Sequence, residues 1–152
     1  MTTIVYRDGI MAADTASVIH NYRMPETVRK VFHRASDGAL IGIIGDRAAC
    51  HRLVAWAIDD AEDPETQPGG SEATILRVLR DGTISVFEGG GRIDVAPASF
   101  YANGSGLGIA YGALRHGASA VDAIAAAIAY DVWSGGVCYA LDHEGRHVAW
   151  QS

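Results

Sequence analysis

The sequence predicts an α+β fold in which two antiparallel sheets pack together and helices cover their outer faces. Two Asp-Gly turns, Arg7-Asp8-Gly9 and Arg80-Asp81-Gly82, each join short apolar segments, which is the pattern of a β-hairpin. Segments with helical periodicity fall between groups of strands rather than after them. Because hairpins pair antiparallel and inserted helices must bury an apolar face, packed sheets between helices are the natural arrangement.

The first half of the chain is expected to contain strands at residues 3–6, 10–13, 18–23, 28–32 and 39–44. Asp14 ends the second of these strands, and a bend at Met24-Pro25 separates the third from the fourth. The fifth is a fully apolar run typical of a buried strand, and Gly45 follows it. Asp46 is expected to cap a helix with Ala49, Leu53, Ala57 and Ile58 on its apolar face.

The acidic segment 59–70 contains proline and glycine and has no periodicity, so it is expected to be a solvated loop. The second half is then expected to contain strands at residues 73–79, 83–87, 99–102, 137–141 and 146–150. Between them lie two helices, one starting near Leu107 and stopping at Gly117, and one capped by Ser119 with Asp122. The second helix, 120–129, is so rich in alanine that it should pack very close to a sheet.

Composition limits the classes of function. With 152 residues, we expect a single domain spanning 1–152, and 18 acidic against 12 basic residues argue against binding to nucleic acid or to a membrane. No signal-peptide pattern or long uncharged apolar segment is found, so we expect a cytoplasmic protein. Cys50 and Cys138 are far apart and are expected to be reduced and buried. His143 and His147 are expected to lie on a hairpin surface, and no metal or cofactor site is predicted.

Eleven of the 12 basic residues are arginine, and the one lysine is Lys30. An ammonium is a compact charge that the planar fork of arginine cannot replace, so this lysine is a candidate functional residue. The opening Thr2-Thr3 suggests where it acts. An N-terminal threonine carries its own base, because its α-amine has an ordinary pKa near 8 and can take the hydroxyl proton. Removal of Met1, which is expected before a small residue, would expose Thr2.

A neighbouring ammonium would keep that amine unprotonated and help the hydroxyl to ionise, and Lys30 is the candidate. Asp14, at the end of the strand that pairs with the one after Thr2, is expected to hold Lys30 in place. The segments Thr2-Thr3-Ile4-Val5, Met11-Ala12-Ala13-Asp14 and Arg29-Lys30-Val31 resemble the N-terminal signature of the proteasome β-subunit family, which includes the bacterial HslV peptidase. These are N-terminal-nucleophile (Ntn) hydrolases, and the resemblance implies a four-layer αββα sandwich.

Three further segments extend the resemblance over nearly the whole chain: 41–45, 103–106 and 131–136. By that resemblance Thr2 is the nucleophile, Lys30 tunes it, and Asp14 orients Lys30. The backbone N–H of Gly45 is implied as the oxyanion donor, a contribution typically worth about 3 kcal/mol. A supporting network is implied for Ser105, Asp131 and Ser134. The substrate groove is implied to include Val18, Val28, Phe32, Ile43 and Arg47.

The resemblance therefore implies a threonine-type endopeptidase that needs no cofactor, forms a homo-oligomeric ring and cleaves peptides or unfolded proteins, with an AAA+ unfoldase as a possible partner. The sequence departs from the family in two ways: Asp46 directly follows the oxyanion glycine, and the helix layer after the first helix is shortened. If Met1 were retained, Thr2 would have an amide in place of an amine. Two alternatives therefore stay open, a catalytically silent subunit with an assembly or binding role and an Ntn amidase for small substrates.

Overall fold

The structure is a computed structural model that describes residues 1–59, 67, 68 and 72–148. It has an α+β fold with antiparallel sheets and three helices among the described residues. The strands are β1 (Thr3–Arg7), β2 (Ile10–Ala13), β3 (Ala16–Ile19), β4 (Tyr22–Thr27), β5 (Val31–His33), β6 (Leu40–Gly45), β7 (Ala73–Val78), β8 (Ile84–Glu88), β9 (Gly91–Asp94), β10 (Phe100–Gly104) and β11 (Tyr139–Asp142). The helices are α1 (Arg47–Asp59), α2 (Leu107–Arg115) and α3 (Ala120–Tyr130).

The strands form three antiparallel sheets. One sheet has four strands in the order β10-β1-β2-β11, and a second has five in the order β5-β6-β7-β8-β9. The hairpin of β3 and β4 forms a separate two-stranded sheet. As a result β1, which follows Thr2 directly, is a central strand, paired on one side with β2 and on the other with β10.

Alternation along β1 explains how the four-stranded sheet buries both faces. Ile4 and Tyr6 belong to a cluster that also contains Leu40, Leu76 and Val86 of the five-stranded sheet, so the two sheets pack against each other. Val5, which points the other way, packs with residues of α2 and α3. A third cluster joins α1 to the opposite face of the five-stranded sheet. The alanines of α3 lie against β1 and β2, as their small size predicts.

Most predicted elements are present, and both Asp-Gly hairpins are confirmed. Ser119 caps α3 by accepting a hydrogen bond from Asp122 N, and Asp46 Oδ1 caps α1 by accepting one from Ala49 N at 3.0 Å. The predicted bend at Met24-Pro25 is wrong, because both residues lie within β4 and the chain turns at His20-Asn21. None of the described helices is long and apolar enough to cross a bilayer.

Two predictions reach beyond the described residues. Residues 60–66, 69 and 70 of the predicted acidic loop lie outside them, and so do residues 149 and 150 of the last predicted strand. Within the described part of that strand, His147 forms a single bridge with Leu141, and Val148 N donates to the Ala140 carbonyl. One described helix, α1, packs on the five-stranded sheet, against β6 and β7.

Candidate active site

Thr2 is fixed by the turn that follows β10. Its carbonyl oxygen accepts a hydrogen bond from Ser105 N at 2.9 Å. Gly104 makes this approach possible, because its φ of +102° is in the region that favours glycine and a Cβ there would overlap the Thr2 carbonyl. The Gly-Ser-Gly segment therefore supports Thr2 through backbone contacts.

Asp14 and Lys30 form a buried ion pair. Lys30 Nζ lies 3.0 Å from Asp14 Oδ1, and the two side chains are 6% and 0% exposed. Oδ1 also accepts a hydrogen bond from Thr3 N at 3.0 Å. Oδ2 accepts hydrogen bonds from Ala16 N at 3.3 Å and Gly135 N at 3.1 Å. One carboxylate thus ties β1, β3, the 131–137 loop and Lys30 together.

The ammonium of Lys30 lies close to the start of the chain. Its Nζ donates a hydrogen bond to the Met1 carbonyl oxygen at 3.2 Å. That oxygen and the Thr2 nitrogen share one peptide bond and are about 2.3 Å apart, so Thr2 N lies within about 5.5 Å of Nζ. A charge at this distance acts strongly on the protonation of an amine.

The electrostatics of the site favour uncharged amines. Burial lowers the pKa of the Met1 α-amine below 8.0, and the Lys30 ammonium lowers it further, against the opposing effect of Asp14 and Asp131. Burial also lowers the pKa of Lys30 itself, while the Asp14 carboxylate acts in the other direction. An α-amine at the start of β1 therefore has a larger unprotonated fraction than an exposed α-amine at the same pH.

A second network consists of hydroxyl groups. Ser134 Oγ and Ser105 Oγ both donate to Asp131 Oδ2, at 2.6 and 2.7 Å. Because the hydroxyl hydrogen of Ser134 is used there, Thr3 Oγ1 must donate to Ser134 Oγ, 2.7 Å away. Thr3 Oγ1 in turn accepts from Gly106 N at 2.9 Å. Burial would raise the pKa of Asp131, but the hydrogen bonds from Ser134 and Ser105 outweigh it and hold the pKa below its usual value.

Gly45 ends β6 beside this site. Its φ of +122° requires glycine, and a Cβ there would overlap the carbonyl oxygen of Glu72. Asp46 follows, donates its backbone N–H to the same Glu72 oxygen at 2.7 Å, and caps α1 with its side chain. The carboxylate that departs from the family pattern thus has a structural role at the start of the helix.

Two cavities meet at Thr2, with volumes of about 870 and 360 Å³. They share six lining residues: Thr2, Val28, Lys30, Gly45, Asp46 and Arg47. The larger cavity runs along α1 and also contains Phe32 and Ile43, whereas the smaller one runs along β3 and contains Val18. All five side chains that were predicted to bind substrate therefore line one cavity or both.

The predicted catalytic residues come together from distant parts of the chain around Thr2. Sequence reasoning missed several participants, among them the Thr3 hydroxyl, the Gly106 N–H and the Gly135 N–H. It assigned Thr3 only to the strand, because no local signal reveals a partner such as Ser134, which is 131 residues away. The described residues contain no group of three or more His, Cys, Asp or Glu side chains placed to hold a metal ion.

Comparison with known proteins extends the structural result. No family model and no curated protein matches the sequence. The chain shares its fold with Thiobacillus denitrificans BPH. A structure of that protein in complex with epoxomicin superposes with a TM-score of 0.63 at 20% identity, covering 92% of this chain and 96% of the other. A second structure of BPH gives the same TM-score and identity, with 92% and 95% covered. At this level of identity the likeness concerns the fold alone.

Proposed function

We propose that the protein is a threonine-type peptidase of the proteasome and HslV kind, in which Thr2 becomes the N-terminal residue and attacks peptide bonds. The observation that carries the proposal is the position of Thr2, where two cavities meet, with Lys30 and Gly45 lining both of them. A four-layer αββα sandwich is part of the proposal. Its support is the set of three core clusters, one between the sheets and one between each sheet and its helices.

In the proposed reaction the Thr2 amine takes the hydroxyl proton and Oγ attacks the substrate carbonyl carbon. The Gly45 N–H would donate to the oxyanion that forms. The protonated amine then gives its proton to the leaving nitrogen, the C–N bond breaks, and an ester to Thr2 remains. Water, deprotonated by the same amine, hydrolyses the ester and frees the hydroxyl. Lys30 keeps the amine unprotonated, and so able to accept a proton, by disfavouring a second positive charge, and Asp14 keeps Lys30 in position.

The test uses epoxomicin, because a protein with the same fold binds it. The chain is prepared with Thr2 exposed by cleavage of a removable fusion tag, incubated with epoxomicin, and analysed by intact mass and peptide mapping. An epoxyketone has two electrophilic carbons, and the Thr2 hydroxyl can add to one while the Thr2 amine adds to the other. Neither addition releases a leaving group, so the adduct has the full mass of the inhibitor. We expect a gain of one inhibitor mass at Thr2, and no adduct in Thr2→Ala, Lys30→Ala or Lys30→Arg.

The matched control is Thr83→Ala, which changes an exposed threonine in the β7–β8 turn and should react like the unaltered chain. Absence of an adduct on the chain with a free Thr2, or an adduct that survives in Thr2→Ala, would refute the proposed role of Thr2. A fluorogenic peptide assay on the same samples then measures turnover directly.

A silent subunit is the second candidate, and it requires a chain that keeps Met1. With Met1 present, its carbonyl oxygen accepts the hydrogen bond of Lys30 Nζ. Such a chain lacks the free amine that the reaction needs. Intact mass of the untagged protein decides between the two, because retention of Met1 in the purified chain identifies the silent form.

Self-association into a ring is also proposed, with an AAA+ unfoldase as a possible partner. Large apolar side chains that are well exposed support an assembly surface: Tyr22 is 73% exposed, Tyr130 80% and Val132 78%. Size-exclusion chromatography with light scattering should give a mass that is a multiple of the 16.0 kDa chain. A monomer at micromolar concentration would contradict this part of the proposal.

A further inference from the structure

The larger cavity at Thr2 has basic walls, although the whole chain carries a net charge of −6. Four of the 12 basic residues of the chain line it: Arg29, Lys30, Arg47 and Arg52. Asp46 is the one acidic residue among the lining residues. A third of the basic residues of an acidic chain therefore lie around one cavity, and the charge of the cavity needs an explanation.

Two of these four cations already have an ion-pair partner in the protein. Lys30 pairs with Asp14 inside the core. Arg47 lies 3.3 Å from Glu26, in a pair that is largely exposed to solvent and therefore weak. Arg29 and Arg52 have no ion-pair partner among the described residues.

Arg29 is held in place without being neutralised. Its guanidinium lies over the ring of Phe32 at 5.0 Å and over the ring of Tyr139 at 5.1 Å. Its Nε donates to the Val31 carbonyl oxygen at 2.9 Å. These contacts fix the plane of the side chain and make no use of its terminal N–H groups, which are the groups that bind a carboxylate in a forked pair. An arginine fixed in this way loses little conformational entropy when it binds an anion.

Most of the remaining lining residues of the cavity are apolar. Its lining includes Val28, Phe32, Ile43, Val54 and Ile58. A ligand that matches these walls combines an apolar side chain with a nearby negative charge. Asp46 limits where that charge can lie, because its carboxylate, which caps the start of α1, would repel a peptide carboxylate placed beside it.

We propose that the larger cavity selects peptides in which an apolar residue is accompanied by a carboxylate, which pairs with Arg29 and Arg52. This inference rests on the proposed function, which makes the ligand a peptide. The carboxylate has two possible sources, an Asp or Glu side chain and the C-terminus of a peptide.

The test measures binding and needs no catalysis. The Thr2→Ala variant is titrated against fluorescent peptides that contain Phe next to Glu, Gln or Lys, each with an amidated C-terminus, and binding is followed by anisotropy. A fourth peptide, with Gln and a free C-terminal carboxylate, separates the two sources. We expect the Glu peptide, the free-acid peptide or both to bind about tenfold more tightly than the Lys peptide, and this difference should shrink as salt rises.

Each arginine should increase the affinity for the acidic peptide by up to about fivefold, which is the upper range for an exposed ion pair. The double variant Arg29→Gln/Arg52→Gln should therefore bind all peptides equally. Because Arg29 also packs between two rings, Arg52→Glu on the exposed helix surface gives a second test and should shift the preference toward the Lys peptide. Arg146→Gln, which removes an exposed arginine paired with Asp142, is the matched control and should leave the preference unchanged.

Equal binding of the Glu, Gln, free-acid and Lys peptides would overturn the inference, as would a preference that survives in the double variant. Failure to bind any of them at millimolar concentration would overturn it too. These outcomes do not test the proposed role of Thr2 as nucleophile, which the epoxomicin adduct tests separately.

Discussion

Replacement of Asp14 by asparagine is the sharpest test of the buried ion pair. The substitution keeps the size of the side chain and removes its charge. Asp14 is fully buried and accepts four hydrogen bonds, two at each oxygen. In either orientation an asparagine amide would turn its NH₂ group toward two donors, and Lys30, which is 5% exposed, would lose its counter-charge.

The cost follows from these contacts. A buried charge that loses its partner typically costs about 3–5 kcal/mol, which is a large part of the roughly 5–15 kcal/mol that stabilises an ordinary domain. We therefore expect Asp14→Asn to lower the free energy of unfolding by at least about 3 kcal/mol at pH 6.5. Urea unfolding followed by tryptophan fluorescence measures it.

The pH dependence of this loss has a definite sign. Burial lowers the pKa of Lys30 in the folded state, and without Asp14 it would fall further. At pH values between the folded-state and the unfolded-state pKa of Lys30, the unfolded Asp14→Asn chain then binds more protons than the folded one. The free energy of unfolding of this variant therefore rises with pH in that range. The loss caused by Asp14→Asn should be smaller at pH 9.5 than at pH 6.5, because a neutral Lys30 needs no counter-charge.

Asp8→Asn is the matched control. Asp8 is exposed, pairs with Arg7 at 3.5 Å, and has a φ of +51°, which asparagine tolerates well. The free energy of unfolding of Asp8→Asn should differ from that of the unaltered chain by less than about 0.5 kcal/mol at both pH values. A loss below 1 kcal/mol for Asp14→Asn, or a loss of equal size at both pH values, would refute the reasoning about the ion pair.

Three further predictions concern Gly45, Ser134 and the two cysteines. Gly45→Ala should lower the melting temperature and abolish adduct formation with epoxomicin, because glycine is required by the backbone there; a normal adduct rate would contradict this. Ser134→Ala should cost about 1–3 kcal/mol of unfolding free energy and slow adduct formation, whereas the exposed Ser36→Ala should do neither. Burial raises the pKa of Cys50 to about 11 and of Cys138 to about 12, so iodoacetamide at pH 8 should label neither thiol until urea unfolds the chain; rapid labelling would contradict their burial.

Local sequence signals predicted the local structure well. At the first hairpin, Asp8 and Gly9 both have positive φ, as an Asp-Gly turn of this kind needs. The prediction of a bend at Met24-Pro25 is wrong because it treats proline as a sign that the strand ends. Pro25 lies in β4, which pairs only with β3, and an edge strand tolerates a residue without an N–H. The turn formed instead at His20-Asn21, where φ is +49° and +70°.

Other features could not be predicted because they depend on contacts between distant segments. The strand β9 (Gly91–Asp94) is exposed along its whole length and lies at a sheet edge, so it carries no alternating pattern. The four donors around Asp14 come from β1, β3, the residue before β5 and the 131–137 loop, and sequence spacing pointed to Lys30 alone. Charge clustering around the larger cavity likewise arises only when β5, β6 and α1 are brought together.

The two opening threonines can now be distinguished by what their surroundings require. The hydroxyl of Thr3 donates to Ser134 and accepts from Gly106, and Thr3 is fully buried. A nucleophile needs a hydroxyl that a base can deprotonate and that a substrate can reach, and Thr3 meets neither condition. Thr2 lines both cavities, and its nitrogen lies within reach of the Lys30 charge. The proposed chemistry therefore needs both residues in this order, one to react and one to anchor the strand that carries it.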